Sequence, residues 1–278
     1  MTASQRLRVL DAVPPELVVH DVPGTCAYLP ERQWRLPLRL PLRTLGRAEL
    51  DARLAQGDRR QGRLLYRPSC ASCQACIPIR LDVGHFVPSR THRRVWARGC
   101  DALRVEVGAL AVSEERVRLY NRHKLERGLS LGESETSAEL YGLLLGDTCC
   151  ESFELRYWHH GQLAAVAIVD RGARALSAVY CYFDPSLERL SLGTFSILKQ
   201  VELCKEWGLR YLYLGLYISE SQPMRYKARF LPHELLCDGH WTRVERRQAP
   251  PPSLRERKRS SERPSEQGAA GPNEDDAR

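Results

Sequence analysis

Three apolar segments separated by very short linkers constrain the fold of this chain most. Residues 151–158, 162–170 and 175–183 each have the length and the apolar content of a β-strand. The linkers contain residues 159–161 and 171–173, and each of these triplets includes one glycine. Connections this short join antiparallel neighbours. The sequence therefore predicts an antiparallel meander.

The segments around the meander alternate between helix and strand. We expect a strand at 105–110, a helix at 113–128 capped by its first serine, and a second helix at 137–145. After the meander, a long helix at 194–207 leads to a strand at 210–214. This order predicts an α+β fold, in which a ligand can bind at the loop before the long helix.

The first hundred residues give weaker patterns. Residues 51–61 are interpreted as a loop or a frayed helix that ends at Gly57, and residues 79–83 as a strand. If residues 89–98 are helical, they bring four arginines together around Trp96: Arg90, Arg93, Arg94 and Arg98. Such a basic cluster can contact a phosphate backbone, although a solvated helix face is its commoner meaning.

Three cysteines with the spacing C-x-x-C-x-x-C form a candidate metal site. Cys70, Cys73 and Cys76 bring three thiols close together, which suits zinc or an iron–sulfur centre. A ferredoxin-type run is excluded because no fourth cysteine follows Cys76 at the required distance. Cys26 is the candidate for a remote fourth ligand. The alternative is that all four are reduced, partly buried thiols.

Composition is typical of a globular protein, and its charge suits either a polyanionic partner or simply a soluble basic surface. The 278 residues carry a formal net charge of +8, which suits nucleic acid, although part of this surplus lies in a Pro- and Ser-rich tail. We expect residues 246–278 to be a disordered tail. No apolar run is long enough to cross a bilayer and the start is not a signal peptide, so we expect a cytoplasmic protein without membrane contact whose ten cysteines stay reduced.

Several common catalytic motifs are absent from the sequence. There is no phosphate-binding glycine loop, no nucleophile elbow and no HExxH motif. The histidines lie apart from candidate carboxylate or thiol partners, so we expect them to be structural.

A series of short motifs, spread in order over residues 20–241, resembles the aminoacyl-tRNA–protein transferases, and most closely their bacterial branch, the aspartate/glutamate leucyltransferases. The motifs are CAYLP at 26–30, YRP with the three cysteines and PIR at 66–80, FVPSR at 86–90, SAVY at 177–180, FDP at 183–185, SLG at 191–193, YLG at 213–215 and MRYK at 224–227.

The resemblance implies both a fold and an activity. It implies a small Cys-containing N-terminal domain, placed at 1–103, and an acetyltransferase-like (GNAT-like) domain with a mainly antiparallel sheet, placed at 104–245. It implies transfer of leucine from leucyl-tRNA to the N-terminal amine of proteins that start with Asp or Glu, which marks them for degradation. Eukaryotic relatives transfer arginine and carry C-x-x-C where this chain has Cys26 and Leu29. The family pattern also has a lysine where this chain has Pro223.

The matching motifs supply the predicted site residues. The catalytic candidates are Asp184, Tyr226 and Lys227. The substrate-binding candidates are Arg80, Cys26, Tyr28, Tyr180, Ser191 and Gly193. Arg80 is assigned to the acidic side chain of the acceptor, because a guanidinium can bind a carboxylate through two parallel hydrogen bonds.

The expected chemistry depends on positioning more than on a strong base. The ester of a charged tRNA is already activated, and an α-amine with a pKa of about 7.7 to 8.0 is partly unprotonated near neutral pH. Juxtaposition of amine and carbonyl, with stabilisation of the oxyanion, is then the main requirement. No cofactor is needed for it.

Three other functions remain open at this point. One is an arginyl-tRNA–protein transferase. Another is a non-catalytic RNA-binding or zinc-knuckle protein, and the third is an ordinary N-acetyltransferase, since function resides in the site rather than in the fold.

Overall fold

The computed structural model describes residues 8–129 and 134–246. Its strands are, in chain order, β1 (Arg8–Leu10), β2 (Glu16–His20), β3 (Gly24–Thr25), β4 (Gln33–Trp34), β5 (Leu38–Pro41), β6 (Arg59–Gln61), β7 (Leu64–Tyr66), β8 (Ile77–Asp82), β9 (Arg104–Gly108), β10 (Ser152–His159), β11 (Gln162–Arg171), β12 (Ala175–Phe183), β13 (Tyr211–Tyr217), β14 (His233–Cys237) and β15 (His240–Val244). Its α-helices are α1 (Arg47–Ala55), α2 (Arg90–Ala102), α3 (Glu114–Glu126), α4 (Ala138–Tyr141), α5 (Leu192–Glu206) and α6 (Gln222–Arg225). A π-helical turn (Gly142–Gly146) follows α4, and 3-10 helices span Pro185–Leu190 and Tyr226–Arg229.

An eight-stranded, mainly antiparallel sheet forms the centre of the molecule. Its strand order is β15-β14-β8-β13-β12-β11-β10-β9. The predicted meander β10-β11-β12 is confirmed, with antiparallel pairing throughout. Residues 163–170 of β11 are all buried, which requires cover on both faces of the sheet. The mixed helix and sheet architecture with a mainly antiparallel sheet agrees with the predicted fold class.

Helices cover the two faces of this sheet. Phe195 and Val201 of α5 pack with Val95 of α2 on one face, in the main apolar core. The other face is covered by α3 and α4 through Tyr120 and Tyr141. Helix α1 covers the same second face further along, beside β13, in a separate apolar cluster.

The predicted helix caps are local features that the structure reproduces. Ser113 Oγ accepts a hydrogen bond from the backbone N–H of Arg116 at 3.4 Å and so caps α3. Two glutamates in the first turn, Glu114 and Glu115, suit the positive end of that helix. Helix α5 begins at Leu192, two residues before the predicted start, and directly follows Ser191, whose φ is 52°.

A second sheet, of order β1-β2-β5-β7-β6, comes from the first 66 residues. The interpretation of residues 51–61 as a loop or frayed helix was wrong in its second part, because residues 59–61 are strand β6. Arg60 of β6 donates to the carboxylate of Asp170 on β11, at 2.7 Å from Nη2 and 2.9 Å from Nε. Both side chains are almost fully buried, so this ion pair joins the two sheets.

The large sheet takes elements from both sides of the predicted domain boundary at residue 103. Strand β8 pairs with β13 on one side and with β14 on the other, and α2 packs on α5. The division into a Cys-containing domain and an acetyltransferase-like domain stays a prediction. Within residues 8–129 and 134–246, every helix is too short or too polar to cross a membrane. The predicted disordered tail lies, from residue 247, outside the described residues.

Candidate active site

The two parallel strands of the large sheet separate after a short paired region. Strands β12 and β13 pair from Ala175 with Tyr211 to Ser177 with Tyr213. Beyond these three pairs the strands no longer pair with each other, although β12 continues to Phe183 and β13 to Tyr217. We call the space between the unpaired residues 178–183 and 214–217 the cleft.

Arg59 occupies the closed end of the cleft. Its Nη1 donates to Ser177 Oγ at 3.0 Å and its Nη2 donates to the backbone oxygen of Ala178 at 2.9 Å. On β13, Gly215 has a φ of 85°, and a Cβ there would lie 3.0 Å from Arg59 Nη2. The glycine is therefore needed both for its backbone conformation and for the approach of the guanidinium.

Lys227 lies beside the unpaired end of β13. Its Nζ donates to the backbone oxygen of Leu216 at 2.8 Å and lies 3.3 Å from Met224 Sδ. The residue is only 8% exposed, and among the described residues no carboxylate pairs with it. Burial, with a contribution from the charge of Arg59, lowers the pKa of Lys227 to about 7. This amine can therefore take up and release a proton near neutral pH.

The three predicted tyrosines are buried near Arg59 or near Arg127. Burial is the main cause that raises the pKa of Tyr28, Tyr180 and Tyr226, the last to about 12, so their hydroxyls remain protonated donors. The charge of Arg59 opposes this rise in the pKa of Tyr28, and the charge of Arg127 opposes it for Tyr180 and Tyr226. Tyr28 and Lys227 are thus both close to Arg59 although 199 positions separate them in the sequence, and Tyr180 and Tyr226 are both close to Arg127.

A cavity of about 580 Å³ adjoins the cleft. Tyr28 and Leu216 line it and connect it with the surroundings of Arg59 and Lys227. The remaining walls come from residues within 26–36 and 56–78, which include the cysteine segment, and from the β14–β15 hairpin. They include Cys26, Cys70, Cys73, Cys76, Ile77, Pro78, Leu236, Cys237, Asp238 and Gly239.

The four candidate metal ligands are close to one another but do not form a metal site in this arrangement. Burial, followed by the charges of Cys26, Cys70 and Cys73, raises the pKa of the Cys76 thiol to about 12. Arg32 Nη1 donates to Cys73 Sγ at 3.3 Å. Within the described part of the chain, no group of three or more His, Cys, Asp or Glu side chains is arranged to hold a metal ion. We derive no step of the reaction through a metal.

Arg80 lies away from the other predicted residues. Its Nε donates to Glu234 at 2.6 Å and its Nη1 to Tyr213 Oη at 3.0 Å. Its guanidinium also lies between the rings of Tyr211 and Trp241, at 3.9 and 4.1 Å from their centroids. These aromatic residues pack in the cluster under α1, where β12 and β13 are still paired. The role of Arg80 in binding an acidic side chain stays a prediction.

Asp184, Ser191 and Gly193 lie between the C-terminal end of β12 and the first turn of α5, which contains Gly193. Both carboxylate oxygens of Asp184 are engaged, since Oδ1 accepts from the backbone N–H of Ser186 at 2.9 Å and Oδ2 from Arg122 at 2.9 Å. Ser191 adopts a left-handed conformation and makes no side-chain cap for α5. A Cβ on Gly193 would meet Phe183 only at an ordinary contact distance. Their roles stay predictions.

Sequence reasoning missed two arginines of the site, Arg59 and Arg127. Arg59 falls in the charged run 58–60, which is fully buried in the structure but has the composition of a solvent-exposed loop. Arg127 ends α3, where a cation is ordinary because it suits the helix dipole. Neither residue stands in a motif that a local pattern would single out.

Comparison with known proteins gives one family over both halves of the chain. Residues 24–94 match the family model described as arginine-tRNA-protein transferase, N terminus, and residues 115–237 match its C-terminal counterpart. An aspartate/glutamate leucyltransferase from Marinobacter nauticus is 40% identical over 85% of this chain and 96% of its own length. The enzymes of that name from Chromobacterium violaceum and Thiobacillus denitrificans are 36% and 37% identical, over 79% of this chain and 90% and 91% of their own.

Solved structures resemble the chain only distantly. FemX gives a TM-score of 0.44 at 8% identity, over 67% of this chain and 65% of its own. L-PGS from Bacillus licheniformis gives 0.40 at 10% identity, over 52% of this chain and 47% of its own. Likeness at this level assigns neither a fold family nor an activity.

Proposed function

We propose, from the premise that this chain belongs to the aspartate/glutamate leucyltransferases, that it transfers leucine from leucyl-tRNA to the N-terminal amine of proteins that begin with Asp or Glu. As a member of that family it is an aminoacyltransferase. The observation that carries the mechanism is Lys227, a buried amine with a pKa of about 7 beside the fixed charge of Arg59.

The reaction moves one acyl group and two protons. A bond forms between the acceptor nitrogen and the ester carbonyl carbon, and the bond from that carbon to the terminal ribose oxygen breaks. The acceptor begins as an ammonium group and loses two protons, one of which ends on the ribose oxygen and one in solvent. A group with a pKa near the working pH is best suited to such a relay.

Lys227 has the properties for this relay. At pH 7 about half of it is the neutral amine, which has two N–H donors and one lone pair. Its donors are directed to Leu216 O and Met224 Sδ, so the lone pair is left to accept a proton from the attacking nitrogen. The resulting ammonium then returns a proton to the leaving ribose oxygen.

Arg59 supplies fixed positive charge beside this relay. Its hydrogen bonds to β12 hold it in place, so no reorganisation is needed as negative charge develops on the carbonyl oxygen. The protonated hydroxyls of Tyr28, Tyr180 and Tyr226 are further donors in the same region.

The lining of the 580 Å³ cavity favours leucine over arginine as the transferred residue. Its walls include the apolar side chains of Ile77, Leu216 and Leu236. Among its lining residues the only carboxylate belongs to Asp238. An arginyl group would require more negative charge to offset the loss of its hydration.

A parallel transfer assay tests the proposal. Purified protein is offered leucyl-tRNA or arginyl-tRNA together with a peptide that begins with Asp, Glu or Ala, and the products are weighed. We expect the mass of one leucyl residue to be added to the Asp and Glu peptides only. Addition of arginine, or no change with either tRNA, would contradict the proposed specificity.

A further inference from the structure

Seven exposed arginines lie on or next to helix α2 and the segment that carries Lys227. We call them the arginine surface: Arg90, Arg93, Arg94 and Arg98 on α2, Arg225 and Arg229 around the 3-10 helix Tyr226–Arg229, and Arg246. None of the seven forms an ion pair with a described residue. Within the described part of the chain, two of the seven donate to backbone oxygens, Arg93 to Pro88 at 2.8 Å and Arg246 to Val87 at 3.2 Å.

Many other exposed arginines of the chain have a carboxylate partner. Arg35 pairs with Asp21 at 2.7 Å, and Arg43 with Glu49 at 2.7 Å. The chain therefore pairs many of its exposed guanidinium groups with carboxylates. Other exposed arginines without an ion pair to a described residue, such as Arg8, Arg63 and Arg189, are scattered along the chain, whereas these seven lie on or next to α2 and the segment that carries Lys227.

Packing around His92 joins the parts of the surface. The ring of His92, in the first turn of α2, stacks on Phe230 at a centroid distance of 4.6 Å. Phe230 directly follows Arg229 and lies three positions after Lys227. Burial lowers the pKa of His92, and the charge of Arg246 contributes to this decrease. The arginine surface thus borders the segment from which Lys227 enters the cleft.

The arginines on α2 do not stand where a positive charge would stabilise the helix. The first turn of the helix contains no acidic residue, and Arg90 and Arg93 stand at its positive end. Cations at that end are unfavourable, while an anion there is favoured by the helix dipole and by the free N–H groups. A bound polyanion would satisfy both the helix end and the unpaired guanidinium groups.

We propose that the arginine surface is the docking surface for the phosphodiester backbone of the tRNA substrate, next to its charged end. This inference rests on the proposed function. A row of guanidinium groups without base-reading partners contacts phosphates and fixes the position of the RNA, while the aminoacyl ester reaches the cleft. Binding should then weaken steeply with salt and carry little sequence preference.

The test compares two triple variants with equal charge change. The first, Arg90→Gln with Arg94→Gln and Arg229→Gln, removes three charges of the surface whose side chains make no hydrogen bond or ion pair with a described residue. The matched control, Arg8→Gln with Arg63→Gln and Arg118→Gln, removes three exposed arginines elsewhere. The dissociation constant for leucyl-tRNA is measured between 50 and 300 mM salt, and circular dichroism checks that both variants fold.

We expect the surface variant to bind leucyl-tRNA at least about tenfold more weakly and to lower the slope of log Kd against log salt by about 2 to 3. Its KM for tRNA should rise while its turnover at saturating tRNA stays unchanged. Equal loss in the control variant, or unchanged binding in the surface variant, would overturn the inference.

Two further outcomes separate this inference from its premise. If the wild type transfers leucine but the surface variant keeps its tRNA affinity, docking is elsewhere and the proposed function stands. If instead the surface variant loses only binding to phosphatidylglycerol vesicles, the surface serves a lipid and the inference fails.

Discussion

Arg59 and Ser177 are joined by a hydrogen bond of 3.0 Å at the last residue of β12 that pairs with β13. A side chain from the first quarter of the chain thus fills the point at which the two central strands separate. Arg59 and Arg60 are neighbours on β6 and bind two adjacent strands of the large sheet, because Arg60 binds Asp170 on β11. The cleft is therefore shaped by the small sheet as much as by the large one.

We expect Arg59→Gln to lower the transfer rate and to move its pH dependence. The charge of Arg59 lowers the pKa of Lys227, so its removal raises that pKa and shifts the rising limb of the rate profile to higher pH. Arg59→Lys keeps the charge and should keep the position of the limb, while losing one of the two bonds to β12. A profile that does not move in the glutamine variant would contradict the assignment.

Lys227→Gln should reduce the transfer rate by about 10²-fold or more, the usual loss when a proton relay is removed. The wild-type rate should rise through pH 7 as Lys227 loses its proton, and this step should vanish in the variant, leaving the ionisation of the acceptor amine at about 7.7 to 8.0. Lys205→Gln, at an exposed position of α5, is the control. Near-normal turnover by the Lys227 variant would remove the residue from the mechanism.

Arg80→Ala should destabilise the fold by about 3 kcal/mol, because it leaves Glu234 half-buried without its partner. Urea unfolding measures the loss. Replacement of both residues by apolar ones, Arg80→Met with Glu234→Leu, should restore most of the lost stability. If Arg80→Ala instead keeps its stability and raises KM only for peptides that begin with Asp or Glu, the predicted role in acceptor recognition is supported.

The buried His123 should make stability depend on pH in the acid range. Its Nδ1 lies 3.0 Å from the backbone oxygen of Phe183, and burial lowers its pKa to about 4 from an ordinary 6.5. Because the unfolded chain binds a proton that the folded chain does not, stability is lost as pH falls from 6.5 through 4, by up to about 3 kcal/mol. Unfolding midpoints at several pH values should show a shallower loss in His123→Gln. His160→Gln, at an exposed site, should follow the wild type.

Removal of metal should leave transfer unchanged. Among the described residues no group of three or more His, Cys, Asp or Glu side chains is arranged to hold a metal ion, and Arg32 donates to Cys73 Sγ at 3.3 Å. Dialysis against chelators, followed by metal analysis and the transfer assay, gives the comparison. Stoichiometric zinc or iron whose removal stops transfer would show that the four thiols rearrange around an ion.

The parts of the fold that were predicted correctly depend on neighbours in the sequence. The meander follows from short linkers, and α3 follows from its capping serine and acidic first turn. The charged run 58–60 could not be assigned, because its partners Asp170 and Ser177 lie more than 100 positions away. Burial of such residues is decided by pairs that a local pattern does not contain.

For the candidate site, too, some features follow from the sequence and others only from the structure. Short motifs contain Tyr28, Tyr180, Tyr226 and Lys227, whose roles in the site stay predictions. In the structure Tyr28 and Lys227 lie close to Arg59, and Tyr180 and Tyr226 close to Arg127. A motif gives the identity of a residue but not the direction of its side chain. The motifs therefore did not indicate that Arg80 is stacked between Tyr211 and Trp241 under α1.

The position of β8 has a consequence for synthesis on the ribosome. Both of its partners, β13 and β14, are translated about 130 residues or more after it. Until then the nascent chain presents two open strand edges, the kind of surface that invites pairing with other chains. The interior of the large sheet can therefore form only after nearly the whole polypeptide has been synthesised. A ribosome that stalls before residue 211 leaves a product in which β8 has no partner strand.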